Sequence, residues 1–210
     1  ANGGINGKPI KLIRTDYGYS IASALQAYMK FKDEDKVLAI QGWGTGDTEA
    51  ISKQATKDAI PFFSASSAAH LTDPIKAPYN FSAAADYSTM LRAGMKYFKR
   101  EWMGTAAPRI AFVYPDHPYG TAPIAAGKQY ADIAGFKVVG EANVALDATE
   151  AVEQVKQVKA LEPDIVWLGG TTASVAVILK EAKAQELKTT FLVNVWGNDE
   201  SLWELAGDAA

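Results

Sequence analysis

Two hydrophobic periods alternate along this chain. Short segments that read as strands occur at KLIRTD (11–16), VLAI (37–40), PFFS (61–64), RIAFVY (109–114), FKVVGEA (136–142), DIVWLGG (164–170) and TFLVN (190–194). RIAFVY is a nearly continuous apolar run, as a strand covered on both faces should be, and DIVWLGG is another buried strand. Between them, apolar residues recur every three or four positions, which predicts helices. These helices fall at 19–32, 47–59, 86–103, 119–134, from Glu150, at 174–185 and from Asp199. The expected buried faces are Ile21, Leu25, Tyr28 and Met29 in the first helix and Met90, Ala93, Tyr97 and Phe98 in the third. Val152, Val155 and Val158 line the helix after Glu150, and Val175, Ile178 and Leu179 line the next.

Strand–helix alternation of this kind predicts an α/β fold, with parallel sheets covered by helices on both faces. The extended PYNFSAA (78–84) reads as a crossover between two such units. Pro78 interrupts it, Tyr79 and Phe81 anchor it, and the small residues after them permit a hinge. The chain therefore divides near residue 83, into units at 1–83 and 84–210. The opening ANGGINGKPI reads as a loop entering a strand, the pattern of a processed or shortened chain.

Composition narrows the function. A net charge of −3 supplies no basic field, which counts against nucleic acid as a partner. No apolar run approaches the roughly 18 residues of a membrane span. With no cysteine, disulfides, thiolate metal sites and cysteine nucleophiles are excluded. That suits an oxidising compartment without deciding on one.

Ligands of open parallel sheets bind beyond the carboxyl ends of the strands. Six loops belong there: DYGYS (16–20), QGWGTGD (41–47), SASSA (64–68), YPDHPYG (114–120), GGTTAS (169–174) and NVWGND (194–199). They hold no Lys or Arg. Neither G-x-G-x-x-G nor a P-loop is present, so nucleotide cofactors are not expected. There is no G-x-S-x-G elbow, and the two histidines, His70 and His117, cannot build a metal site. His117 reads as an exposed loop residue rather than a general base. Asp47 and Asp199 read as helix N-caps rather than a catalytic pair. No enzyme, cofactor or metal centre is expected.

The loops do supply neutral donors. Thr45, Gly46 and Thr48 stand at a helix start, Thr171 and Thr172 at another, and Ser64, Ser66 and Ser67 precede a third. Helix N-terminal amides favour an anion, and added hydroxyls make a carboxylate clamp that needs no arginine. The plain alternative is that each residue only caps a helix or makes a turn. Trp43, Tyr119 and Trp196 also fall on these loops, as they would in a cleft closing over an apolar body. Trp102, Trp167 and Trp203 read as packing residues.

These residues carry a family resemblance over the whole chain. NGGINGKPIKLIRTD, GTGDTEA, IPFFSASSAAHLT, PYNF, RIAFVYPDHPYG, PDIVWLGGTTAS and GNDESLWELAGDAA resemble type I periplasmic solute-binding proteins of the branched-chain amino acid class. The resemblance implies two doubly wound lobes joined by a hinge, here shortened at both ends so that the first lobe is incomplete. It implies a periplasmic or membrane-tethered extracytoplasmic monomer that hands a small molecule to an ABC permease. It places ligand contacts at Thr45–Thr48, Ser66, Ser67 or Ala68, Tyr119 and Thr171. Amino-acid binders of this class have an acidic residue after TFLV, where this chain reads Asn194-Val195-Trp196. A buried ammonium needs a carboxylate partner, so the expected ligand is a carboxylate with an apolar or aromatic body. An amino-acid binder and a ligand-sensing receptor ectodomain remain the alternatives.

Overall fold

The computed structural model describes residues 3–210. Ala1 and Asn2, read above as part of the opening loop, lie outside the described residues. The chain begins with α1 (Ile21–Asp33), β1 (Ile40–Gln41), α2 (Thr45–Asp58), β2 (Phe62–Ser64) and β3 (Asn80–Ser82). It continues through α3 (Tyr87–Glu101), β4 (Arg109–Tyr114), α4 (Pro118–Thr121), α5 (Ile124–Ala134) and β5 (Lys137–Asn143). The last part comprises α6 (Val152–Ala160), β6 (Ile165–Leu168), α7 (Thr172–Ala184), β7 (Thr190–Val193) and α8 (Ser201–Ala206). Among the described residues the strands form two sheets, ordered β1-β2-β3 and β5-β4-β6-β7. Every pairing in them is parallel. This is the α/β architecture that the alternation predicts.

The larger sheet shows why its strands read as continuous apolar runs. Ile110 and Phe112 of β4 and Ile165 and Trp167 of β6 point to one face, where Leu91 and Met95 of α3 and Ile124 and Ala131 of α5 cover them. Their neighbours Ala111, Val113, Val166 and Leu168 point to the other, against α6, α7 and α8. Both faces are dry, so the interior positions of these strands, residues 110–113 and 165–168, are all apolar. The smaller sheet is packed on one face. Ile40 and Phe62 meet Ala24 and Tyr28 of α1 and Ile51 and Ala55 of α2. On its other face Phe63 and Phe81 stack on each other with ring centroids 5.4 Å apart, each about half exposed.

Several expectations need correction. Residues 11–16 form no strand, because a strand exists only through a neighbour's ladder and none pairs with them; Ile10 and Leu12 are exposed. PYNF is more than a crossover, since Asn80–Ser82 adds to the edge of β2 as β3. In α1, Tyr28 is buried as expected, but its other core residue is Ala24, and Ile21, Leu25 and Met29 face outward. In α3 the buried face is Leu91 and Met95, with Phe98 packed at its margin, while Ala93 and Tyr97 are exposed. Val152 is also exposed. The helix expected at 119–134 breaks into α4 and α5 around Pro123, which has no N–H to continue the first piece.

Asp47 is not an N-cap. Gly44 caps α2, and Asp47, in the first turn, reaches back to accept the Gly44 N–H at 3.2 Å. The carboxylate is 4% exposed, and this burial raises its pKa above the usual carboxylate value against the pull of the surrounding amides. The Tyr17 hydroxyl lies beside it, buried and without a well-aligned partner.

Two outcomes follow from these contacts. A Cβ added at Gly127 would lie 2.4 Å from Leu91 Cδ2 and 3.2 Å from Phe112 Cε1, both on fully buried side chains. Overpacking of about 1–3 kcal/mol outweighs the roughly 1 kcal/mol helix gain of alanine. Gly127→Ala should therefore lower the urea midpoint, and a raised midpoint would refute the packing. For Asp47 the folded pKa lies above the unfolded one, so its ionisation opposes folding above that folded pKa, and the cost disappears as pH falls to the unfolded value. Asp47→Asn keeps an acceptor for the Gly44 N–H. It should leave the protein at least as stable at pH 7 and flatten the pH dependence of stability between pH 4 and 7, measured by chemical denaturation.

Candidate functional site

Parallel strands deliver all their carboxyl ends to one side, and there the loops of the two sheets meet around a cavity of about 510 Å³. Five aromatic side chains wall it: Tyr19, Trp43, Tyr87, Tyr119 and Trp196. Trp43, after β1, meets Trp196, after β7, with centroids 5.4 Å apart and planes tilted by 49°. Tyr87 and Tyr119 meet edge to face at 5.4 Å, and the Trp196 Nε1–H donates to the Tyr87 hydroxyl at 3.0 Å. The Tyr119 hydroxyl donates to the Gly170 carbonyl at 3.0 Å and accepts from Asn194 Nδ2 at 3.1 Å. Asn194 is 1% exposed, so its place after TFLV is structural: it orients a ring of the wall.

The serine and threonine residues assemble behind this wall. Thr45 Oγ1 and Ser66 Oγ share a hydrogen bond of 2.7 Å, and Thr48 Oγ1 and Ser64 Oγ one of 2.9 Å. The Ser66 N–H donates to Ser64 Oγ at 2.9 Å. Ser67 Oγ lies 3.3 Å from Ser82 Oγ on β3. These residues lie together in space, but they divide in placement. Trp43, Thr45, Tyr119, Thr171 and Trp196 line the cavity. Ser64, Ser66, Ser67 and Thr48 form the buried layer that holds Thr45 and the loop after β2. Gly46 packs outside it, where a Cβ would lie 3.1 Å from Ile21 Cδ1 and 3.6 Å from Pro118 Cγ.

The first turns of α2 and α7 both reach the cavity, through Thr45 and through Thr171, Thr172 and Ala173. Their amides carry partial positive charge. Thr171 caps α7 in a capping box with Ser174, whose Oγ accepts the Thr171 N–H at 3.1 Å. Among the described residues no Lys or Arg lines the cavity, and Asp199 is its one charged wall residue. Asp199 accepts the Ser201 N–H and hydroxyl through Oδ1 and the Thr172 hydroxyl through Oδ2, at 2.9, 2.5 and 2.8 Å. The Ser201 and Thr172 hydroxyls hold its pKa below the usual value, so it is a carboxylate at neutral pH. Burial pushes the Tyr19 phenol up to about 12 and raises Tyr119 further, so both are neutral donors.

Sequence reasoning missed Tyr19, Tyr87, Leu146, Asp199 and Leu205 as wall residues. Tyr19 and Asp199 lie in two of the six loops named from the sequence, so their position was available and their direction was not. Leu146 follows β5, a loop outside that set, and Tyr87 opens α3. A second cavity, of about 460 Å³, lies between residues 15–19, α1 and β1, and is bounded by one sheet only. Among the described residues no group of three His, Cys, Asp or Glu could hold a metal ion, and no helix is long and apolar enough to cross a membrane.

The chain is similar to solved substrate-binding proteins. An ABC transporter substrate-binding protein from Aeropyrum pernix is 36% identical, with 94% of this chain and 50% of that one covered and a TM-score of 0.88. A branched-chain amino acid ABC transporter protein from Thermus thermophilus, solved with bound valine, is 26% identical, with 93% and 50% covered and a TM-score of 0.87. A fatty acid ABC transporter substrate-binding protein from Thermomonospora curvata, 20% identical with 99% and 52% covered, shares the fold at a TM-score of 0.90. This chain thus spans about half the length of these structures. No curated protein matches the sequence. The family model described as periplasmic binding protein matches residues 1–210, and the chain belongs to that family, with its type I fold.

Proposed function

We propose that the chain captures a small organic carboxylate with an apolar or aromatic body, without turnover, as the substrate-binding part of an ABC importer. It would act outside the cytoplasm as a monomer, in the periplasm or tethered to the membrane, and hand its ligand to a permease. The observation that carries this reading is the convergence of two helix N-termini, α2 and α7, on a cavity with five aromatic walls and no cation. The amides and hydroxyls suit a carboxylate, and the rings suit an apolar body. Residues 1–83 and 84–210 act as lobes that close on the ligand. In support, β3 ends at Ser82, and Leu91 and Met95 of α3 pack on the larger sheet. Solved relatives of this chain are named for substrate binding in ABC transport.

Asp199 favours a second reading. An ionised carboxylate on the cavity wall could pair with an ammonium, which extends the ligand class to an amino acid. It stands five residues beyond the position where the sequence led us to look for an acid. A ligand-sensing ectodomain would use the same cavity with a different partner.

Calorimetry and tryptophan fluorescence with branched-chain and aromatic amino acids, aromatic acids and fatty acids separate these readings. One ligand should bind per chain and shift the emission of Trp43 and Trp196. If no compound in the panel binds, the proposal fails. Thr45→Val should weaken binding by about tenfold, the scale of one lost hydrogen bond to a charged group, and Ser66→Ala, which removes the partner of the Thr45 hydroxyl, should weaken it by less. Asp199→Asn should weaken binding only of a ligand that carries an ammonium.

A further inference from the structure

One side chain joins the cavity walls from the two sheets. His117 precedes α4 and accepts the Tyr119 N–H on its Nδ1 at 3.1 Å. Its ring also stacks on Tyr19, with centroids 5.3 Å apart and planes 24° from parallel. Tyr119 belongs to the loops of the larger sheet, whereas Tyr19 precedes α1 and packs against the start of α2. There a Cβ on Gly44 would fall 2.4 Å from the Tyr19 ring. Tyr19 holds a left-handed backbone at φ 57°, an uncommon state for a bulky residue that its surroundings must maintain. The imidazole face and the Gly44 backbone enclose its ring.

An imidazole nitrogen accepts a hydrogen bond only while it carries no proton. The Tyr119 contact therefore requires neutral His117 with its proton on Nε2. Protonating Nδ1 would set two N–H donors against each other and end the cap.

We propose that His117 is a positioning residue for ligand capture: neutral, it ties the Tyr119 backbone to the Tyr19 ring in the cavity wall, and protonation removes its hydrogen bond to the Tyr119 amide. The proposal rests on reading the cavity between the sheets as the ligand site. The groups facing the imidazole are Tyr19 from the preceding loop, Asp47 and Glu49 from α2, and Tyr119 from its own segment. Asp47 and Glu49 favour the charged ring. Burial opposes them and prevails, so the pKa lies below the ordinary histidine value. Glu49 is also engaged by His70 at 2.8 Å. Because the folded pKa lies below the unfolded one, the closed arrangement is fully stabilised above the ordinary value of about 6.5. It is lost as pH falls from there through the folded pKa. Below that pKa the population with the contact intact drops by about tenfold per pH unit.

The chain has two histidines, His70 and His117, so two imidazole spin systems cover the whole titration. Nuclear magnetic resonance of the 15N-labelled protein from pH 8 to 4.5 should show His117 as the Nε2–H tautomer, titrating below the ordinary histidine range. The Tyr119 amide and the Trp196 indole signals should shift with the same midpoint. His117→Asn retains a neutral capping acceptor and should abolish that midpoint in both signals, whereas His70→Asn should keep it. An Nδ1–H tautomer, a Tyr119 amide that ignores the His117 titration, or a midpoint that survives in His117→Asn would each overturn the proposal. The tautomer and the amide shift are read on the unaltered protein, so the outcome stands even if the asparagine variant folds poorly. No ligand is needed, so this result is separate from the ligand panel that tests the binding reading.

Discussion

The Tyr119 hydroxyl is the point on which the cavity is assembled. It donates to Gly170 in the loop after β6 and accepts from Asn194 after β7, while its own helix follows β4. β4 and β6 are neighbours in the larger sheet, reached by connections that leave in opposite directions. The loops at such a switch point part and leave a crevice. A buried hydroxyl with both a donor and an acceptor partner closes that crevice from beneath and sets the ring as a rigid wall. Removing it would leave a carbonyl and an amide without partners in a dry site, which costs more than the bond itself contributes.

Charge is distributed so that the cavity wall carries one acid, Asp199, and a second acid, Asp47, is buried at the start of α2. Asp47 has turned its carboxylate back onto the first amide of α2, and Asp199 is held among the hydroxyls of Thr172 and Ser201 near the start of α7. The two acids differ in environment. Burial dominates for Asp47 and raises its pKa, whereas hydrogen bonds dominate for the exposed Asp199 and lower it. One carboxylate strengthens a loop, and the other presents a fixed negative charge to the cavity. Any ligand must reconcile the partial positive charge of the helix ends with these acids. A rigid orientation of the ligand is the natural result.

The larger sheet was readable because both of its faces are buried. The interiors of RIAFVY and DIVWLGG, residues 110–113 and 165–168, have no polar position to confuse the period, and β4 and β6 appear within their bounds. The smaller sheet was less readable for the converse reason. Phe63 and Phe81 are apolar yet half exposed, and KLIRTD, with Leu12 and Ile13 at its centre, pairs with nothing. Apolar content records what a segment could bury, while a ladder depends on what lies beside it. The same limit explains α1, where Ile21, Leu25 and Met29 make a better apolar stripe than the Ala24–Tyr28 face that packs. Ala24 allows a close approach, so tertiary fit overrode periodicity.

By itself the sequence determined the order and type of most elements, the loops that could hold a ligand, and the neutral donors and lack of cations in those loops. Each of these is a local property, carried by period, by turn residues or by the absence of a side-chain type. Tertiary structure alone decided which loop residues face the cavity. Thr45 and Thr48 lie in one helical turn, yet Thr45 lines the cavity and Thr48 turns to Ser64. Trp43 meets Trp196 and Tyr19 meets His117 only because two separately formed sheets bring their carboxyl ends together. Such contacts depend on the relative placement of elements far apart in the chain, and no local pattern encodes that distance.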